Sequence, residues 1–148
     1  NELLKTLQQD SPPLEWRAIH QILVAELGEA KLAELEIDEQ PTAAASIGQV
    51  HRGRVKATGQ DVAIKIQYPG VADAVETDLK LLKFILNVSD LVPRGPRFDQ
   101  IFNEIREMFH QEINYASELE FGERFAKLLA GDDRYIIPKP LREFSTAR

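Results

Sequence analysis

The 148-residue sequence is 43% hydrophobic and 28% charged, proportions that suit one globular domain or one lobe of a larger one. Its net charge of -6 gives no general attraction to nucleic acid or anionic lipid. The absence of cysteine excludes disulfides and thiolate metal sites, and the three histidines, His20, His51 and His110, are too scattered to form a metal-ligand pattern.

The first residues, "NELLKTLQQD", carry Leu3, Leu4 and Leu7 as a short helical stripe, interrupted by "SPP" at 11–13. A second helix is expected from about Leu14 to Leu27, with Ile19, Leu23 and Leu27 on one face and Gly28 at its end. "LEIDEQ" from Leu35 reads as a short strand leading to Pro41. "GQVHRGRV" at 48–55 and "DVAIKIQY" at 61–68 then read as two strands joined by the turn "ATGQ", an antiparallel hairpin stopped by Pro69–Gly70.

The remainder is expected to be mostly helical. One helix covers Val71 to about Val88, with Leu79, Leu82 and Leu86 at helical spacing. "LVPRGPRF" is a linker, and a long helical pattern runs from Phe98 to about Leu129, with a break near Tyr115. "RYIIPKPLREF" reads as a short terminal strand. No apolar run approaches the roughly 18 residues that span a bilayer. The chain begins at Asn1 and ends at "EFSTAR", so it is expected to be a fragment of a longer protein.

The order of helices, small antiparallel sheet and further helices makes the class α+β. Strand 61–68 sorts its side chains by parity: Val62, Ile64, Ile66 and Tyr68 face a core, while Ala63, Lys65 and Gln67 face the other way. The second face sets a small residue beside a lysine, a surface able to receive a planar base and hold a phosphate. A lysine on an open strand is usually only solvated, but its neighbours argue otherwise. Protein kinases place G-x-G-x-x-G-x-V over the phosphates and V-A-I-K on a following strand. Ala43, Ala45, Gly48 and Val50 stand at the positions of the first pattern, with two glycines replaced, and "VAIK" at 62–65 is unaltered.

Three stretches, "PTAAASIGQVHRGRV", "VAIKIQYPGV" and "QEINYASELEFGERF", resemble the UbiB/AarF-type atypical kinase-like family, in particular its branch associated with coenzyme Q biosynthesis. The resemblance covers essentially the whole chain. It implies the N-terminal lobe of a protein-kinase-like fold, a small antiparallel sheet with additional helices, preceded by an N-terminal helical extension at 1–33. Residues 34–148 would be the lobe itself, with an alanine-rich loop at 41–48, the lysine strand at 61–68 and inserted helices at 71–90 and 98–130. It further implies ATP with Mg²⁺, and ATPase or small-molecule kinase activity that supports ubiquinone biosynthesis. Membrane, lipid or quinone-biosynthesis proteins are implied as partners and nucleic acid is not. A eukaryotic member would be mitochondrial and inner-membrane associated, and a bacterial one cytoplasmic or membrane-associated.

The candidate nucleotide-binding residues are Ala43, Ala44, Ala45, Ser46, Gly48, Val50, Ala63 and Lys65. Alanine's Cβ disfavours the positive φ and close phosphate approach that glycine permits, so the loop is expected to be stiffer than a glycine-rich one. The competing reading of the alanines is the start of a helix. A phosphate-binding lysine usually needs a carboxylate to fix it, and Glu118 in "YASE" matches the family glutamate that pairs with the strand lysine. At about 100° per residue, Glu112 falls in the middle of the apolar stripe Ile101, Ile105, Met108, Ala116 and Leu119, where a carboxylate must be paired or face a cleft.

Glu112 also begins the family's E-x-D motif, but this chain has Asn114 in place of the aspartate, which puts any role needing that charge in doubt. "KTLQ" at 5–8 is not carried over as the family's inhibitory K-x-G-Q, because leucine stands where glycine should. The 148 residues contain no H-R-D or D-F-G-like segment. The catalytic aspartate and main Mg²⁺ ligands are therefore expected in a second lobe, and no metal ligands are assigned here. Two alternatives remain: a nucleotide-binding pseudokinase acting as a scaffold, and a non-catalytic interaction module.

Overall fold

The structure is a computed structural model and describes residues 13–45, 47–89 and 95–147. They fall into two compact units that divide between Pro69 and Gly70. The expected helix at 1–10, the "KTLQ" segment and Ser46 lie outside the described residues.

Helix α1 (Trp16–Leu27) opens the first unit. Ile19 and Leu23 sit one turn apart, so a single stripe carries both into a core shared with Leu32 and Ile66. Leu14, expected within this helix, stands before it. Gly28 ends the helix at φ 78°, a conformation that costs other residues a Cβ clash, and its N–H reaches the Val24 carbonyl at 2.9 Å. A single helical turn, α2 (Glu29–Leu32), follows.

Four strands come next: β1 (Leu35–Ile37), β2 (Ala43–Ala45), β3 (Gly48–Val55) and β4 (Gln60–Gln67). All three others pair antiparallel with β3. Strand β4 runs along the whole of β3, from Gly48 opposite Gln67 to Val55 opposite Gln60. A strand has only two edges, so β1 and β2 share the other one. Strand β1 covers Gly53 to Val55, and β2 covers Gly48 to Val50. The expected 48–55/61–68 hairpin is thus present.

Gly48 is needed for close approach. A Cβ built there would stand 2.3 Å from the Ile66 carbonyl oxygen and 3.1 Å from its carbon, both backbone atoms of the paired strand.

The second unit holds α3 (Val71–Val88), α4 (Pro96–Glu112) and α5 (Tyr115–Leu128). The long pattern from Phe98 is two helices, broken at Ile113–Asn114. Leu79, Phe102 and Ile113 are buried. Glu76 on α3 receives hydrogen bonds from Arg106 Nε at 2.9 Å and His110 Nε2 at 2.6 Å on α4. The Arg106 bond first, then the His110 bond, holds the Glu76 carboxyl below its usual range. Lys83 pairs with Asp99 at 2.8 Å and lies 5.1 Å above the Phe102 ring.

The expected terminal strand around 135–140 is absent: the described residues there are irregular, followed by a 3₁₀ turn at Arg142–Phe144. Pro138 and Pro140 each lack the N–H a ladder needs. Arg142 instead ties this segment to α5 through a two-pronged pair with Glu123, at 2.6 and 2.7 Å.

Gly48→Ala is expected to destabilise the protein by about 1–3 kcal/mol, since backbone must yield to the new methyl. A urea midpoint that falls without a change in slope is the expected readout.

Candidate nucleotide-binding site

The register of the sheet puts Ala43 opposite Val50, and Val50 opposite Lys65 on the far side. Directly opposed residues share a face, so these three form one row across β2, β3 and β4. Arg52 opposite Ala63 makes the next row of the same face. Ala63 and Lys65 are exposed, whereas Ile64 and Ile66 pack on the core. The parity expected from the sequence therefore holds, except that Gln67 is only 4% exposed and closes the face at the strand's end. What results is a strip of small side chains, Ala43, Val50 and Ala63, flanked by the Lys65 ammonium group and the Arg52 guanidinium.

Of the remaining loop candidates, Ala44 pairs with Gln49 and Ala45 with Gly48. The alanines start no helix. They form a short strand, so the segment is a strand–turn–strand hairpin and not an open loop. Ladder pairing commits part of their backbone to β3, which is the stiffness that replacing glycine implies.

The carboxylates belong to the second unit. Glu112 is the last residue of α4 and is exposed. Ile101, Ile105 and Met108 are exposed as well, at 49%, 36% and 56%. Contrary to expectation, Glu112 is therefore not a charge within a buried stripe, because the stripe itself lies open. Glu118 is exposed in the first turn of α5, where the helix dipole favours a negative charge.

Asn114 turns out to have a local task that leaves its missing charge aside. Its side-chain oxygen accepts from Ala116 N at 3.1 Å and Ser117 N at 3.4 Å, capping α5. An aspartate could cap equally well. The signal is legible in the chain, an asparagine directly before a helical pattern.

Tyr115 is a residue that the sequence patterns do not single out. Burial, then the charges of Glu118 and Glu112, push its hydroxyl from 10.0 up to about 12. Tyr115 stands three residues from each of these carboxylates, which puts it within electrostatic reach of both.

Among the described residues, no group of three or more His, Cys, Asp or Glu side chains is placed to hold a metal ion. An open groove of ≈ 710 Å³ beside the start of α4 is lined by Asp99, Glu104 and Glu107 with uncharged neighbours. Three carboxylates repel phosphate, so it is no rival to the lysine face.

Residues 6–148 match the ABC1 atypical kinase-like domain. The chain belongs to that family. Among its relatives, "Atypical kinase COQ8, mitochondrial" of Schizosaccharomyces pombe is 33% identical over 98% of this chain and 24% of its own length. "Atypical kinase COQ8B, mitochondrial" of Rattus norvegicus is 40% identical over 86% of this chain and 24% of its own length. The chain thus spans about a quarter of the length of these curated relatives. A Mycobacterium tuberculosis protein solved in complex with erythromycin superposes with a TM-score of 0.73 at 32% identity, covering 87% of this chain and 33% of that one. The ABC1 domain here has the fold of a kinase-like N-lobe, α+β with a small antiparallel sheet and additional helices.

Two outcomes follow for the second unit. Asn114→Ala is expected to cost about 1 kcal/mol through loss of the cap, and Asn114→Asp to be neutral in a thermal or urea melt. Tyr115 keeps its proton in the folded chain at a pH where the unfolded chain has released it. Stability is therefore full below pH 10.0 and falls as pH rises towards about 12. In a spectrophotometric alkaline titration, one of the three tyrosines should ionise late, and Tyr115→Phe should remove that step.

Proposed function

We propose that this ABC1 domain is the nucleotide-binding part of an atypical kinase-like ATPase or small-molecule phosphotransferase that supports ubiquinone biosynthesis. The carrying observation is the row Ala43–Val50–Lys65 on the open face of the sheet. Small side chains leave room for a planar base, and the ammonium group of Lys65 supplies the charge for phosphate. The alanine hairpin 41–48 would cover the nucleotide, and its paired strand would limit how closely backbone amides wrap a triphosphate.

The family relationship supports Glu118 as the carboxylate partner of the strand lysine and Glu112 as a further acidic residue of the reaction. ATP would supply the transferable phosphoryl group, with Mg²⁺ held mainly by residues of the expected second lobe. The same relationship supports the mitochondrial setting of the Schizosaccharomyces pombe and Rattus norvegicus relatives, with a membrane surface, lipid or quinone-pathway protein as partner. The chemistry of the whole protein, including its acceptor, belongs to the same proposal.

Mg²⁺–ATP and Mg²⁺–ADP should raise the melting temperature saturably in the wild-type protein, and Lys65→Ala should abolish the rise. Equal shifts in both proteins would move the nucleotide to another cation, and no shift in either would favour an interaction module. The 148 residues alone should not sustain ATP turnover. Hydrolysis by them that Lys65→Ala abolishes would overturn the need for a second lobe.

A further inference from the structure

The edge of β3 that faces β1 and β2 is interrupted. Ile37 pairs with Gly53 and Ala43 with Val50, so residues 38–42 stand opposite only His51 and Arg52. This is a large bulge, and it immediately precedes the alanine strand. Only two backbone bonds frame it: Asp38 N to Arg52 O at 2.9 Å, and Thr42 N to Val50 O at 2.8 Å. A bulge of this size leaves backbone groups without ladder partners and does not by itself fix where pairing resumes.

Beneath the bulge runs a buried chain of polar groups. His51 and Gln49 are both 0% exposed, on the core face of β3. His51 Nδ1 lies 2.7 Å from the Asp38 carbonyl, His51 Nε2 lies 2.8 Å from Gln49 Nε2, and Gln49 Oε1 lies 2.8 Å from Leu14 N. Every proton in this chain can be assigned. The Leu14 N–H can only donate, which fixes the Gln49 oxygen towards it and the Gln49 amide NH₂ towards His51. The Asp38 carbonyl can only accept, which fixes a proton on His51 Nδ1. His51 Nε2 must then accept from Gln49, and the ring is neutral. The Trp16 ring, 5.6 Å from that of His51, packs beside it.

We infer that Gln49 and His51 are positioning residues that pin the register of the alanine strand. His51 binds the carbonyl at the start of the bulge, and Gln49 locks the ring that does so while holding Leu14 with its other end. With Asp38 held to His51, the span free to slip narrows to residues 39–42 before Ala43 pairs with Val50. A slip by one residue would turn Ala43 from the lysine face to the core face. The pin lies on the opposite side of the sheet from Lys65. The inference rests on the reading of the alanine hairpin as the nucleotide cover, but the register itself can be measured without nucleotide.

The test compares wild type with His51→Leu, which fills the space but cannot donate to Asp38, and with Gln49→Met, which fills the space but offers neither an acceptor to Leu14 nor a donor to His51. Nitrogen-15 NMR of the wild-type protein should show His51 as the Nδ1–H tautomer with Nε2 unprotonated. Cross-strand Overhauser contacts between residues 43 and 50 should be present in wild type and shifted or lost in both variants. Mg²⁺–ADP affinity should fall about tenfold in folded variants, the loss expected for one unsatisfied buried group. An Nε2–H tautomer, or unchanged 43–50 contacts in a folded variant, would overturn the pin. If the variants fail to fold, the wild-type tautomer decides. Failure of the wild type to bind nucleotide would refute the cover reading, while the contacts would still decide the register.

Discussion

Strand β3 is hydrogen-bonded along both edges, and the remainder of the first unit takes its order from that one strand. On one edge β4 is paired over its full length, which places Lys65 opposite Val50. On the other edge β1 and β2 divide the strand between them, which places Ala43 opposite the same valine. Because side chains alternate across a strand, these pairings decide at once what the core receives and what the open face offers. The core receives Ile64 and Ile66, packed with α1, together with the Gln49–His51 pair. The open face keeps the small residues and the lysine. Gly48 adds a steric condition, since a Cβ there would collide with the Ile66 carbonyl.

Much of this order is legible in the amino-acid sequence. The 48–55/61–68 hairpin and the parity of Lys65 follow from period-two alternation around a glycine-containing turn. Two of the three motifs that carry the family resemblance lie in the same stretch. Less legible is the alanine segment, whose composition speaks for helix while its position between a proline and a strand speaks against it. Its strand form depends on β3 as a partner and on a bulge closed by buried histidine and glutamine side chains. Sequence patterns do not reveal such a closure, because one buried His–Gln contact has no periodicity. The terminal segment misleads for the opposite reason: its "YII" looks like a strand, but the prolines deny it a ladder.

The second unit teaches a different limit. Of Leu79, Leu82 and Leu86, read at helical spacing on α3, Leu79 is buried but Leu82 is 45% exposed, and Leu81, Phe84, Ile85 and Val88 of the same helix are about half exposed or more, as are Phe121, Phe125 and Leu128 on α5. Periodicity reports that a helix face is apolar and says nothing of what lies against it. Glu112 illustrates the distinction, since its stripe is apolar and yet exposed. Tyr115 and the Asn114 cap arise where the helical pattern breaks, and Tyr115 stands three residues from each of Glu112 and Glu118.

The central claim is that the open face of the sheet receives the nucleotide. Amide NMR shifts followed during a titration with Mg²⁺–ADP test it residue by residue. The account predicts saturable changes centred on Ala43, Val50, Ala63 and Lys65, sharing one dissociation constant. Changes confined to the core-face neighbours of His51 or to α3 and α4, with the Ala43–Val50–Lys65 row unmoved, would contradict it.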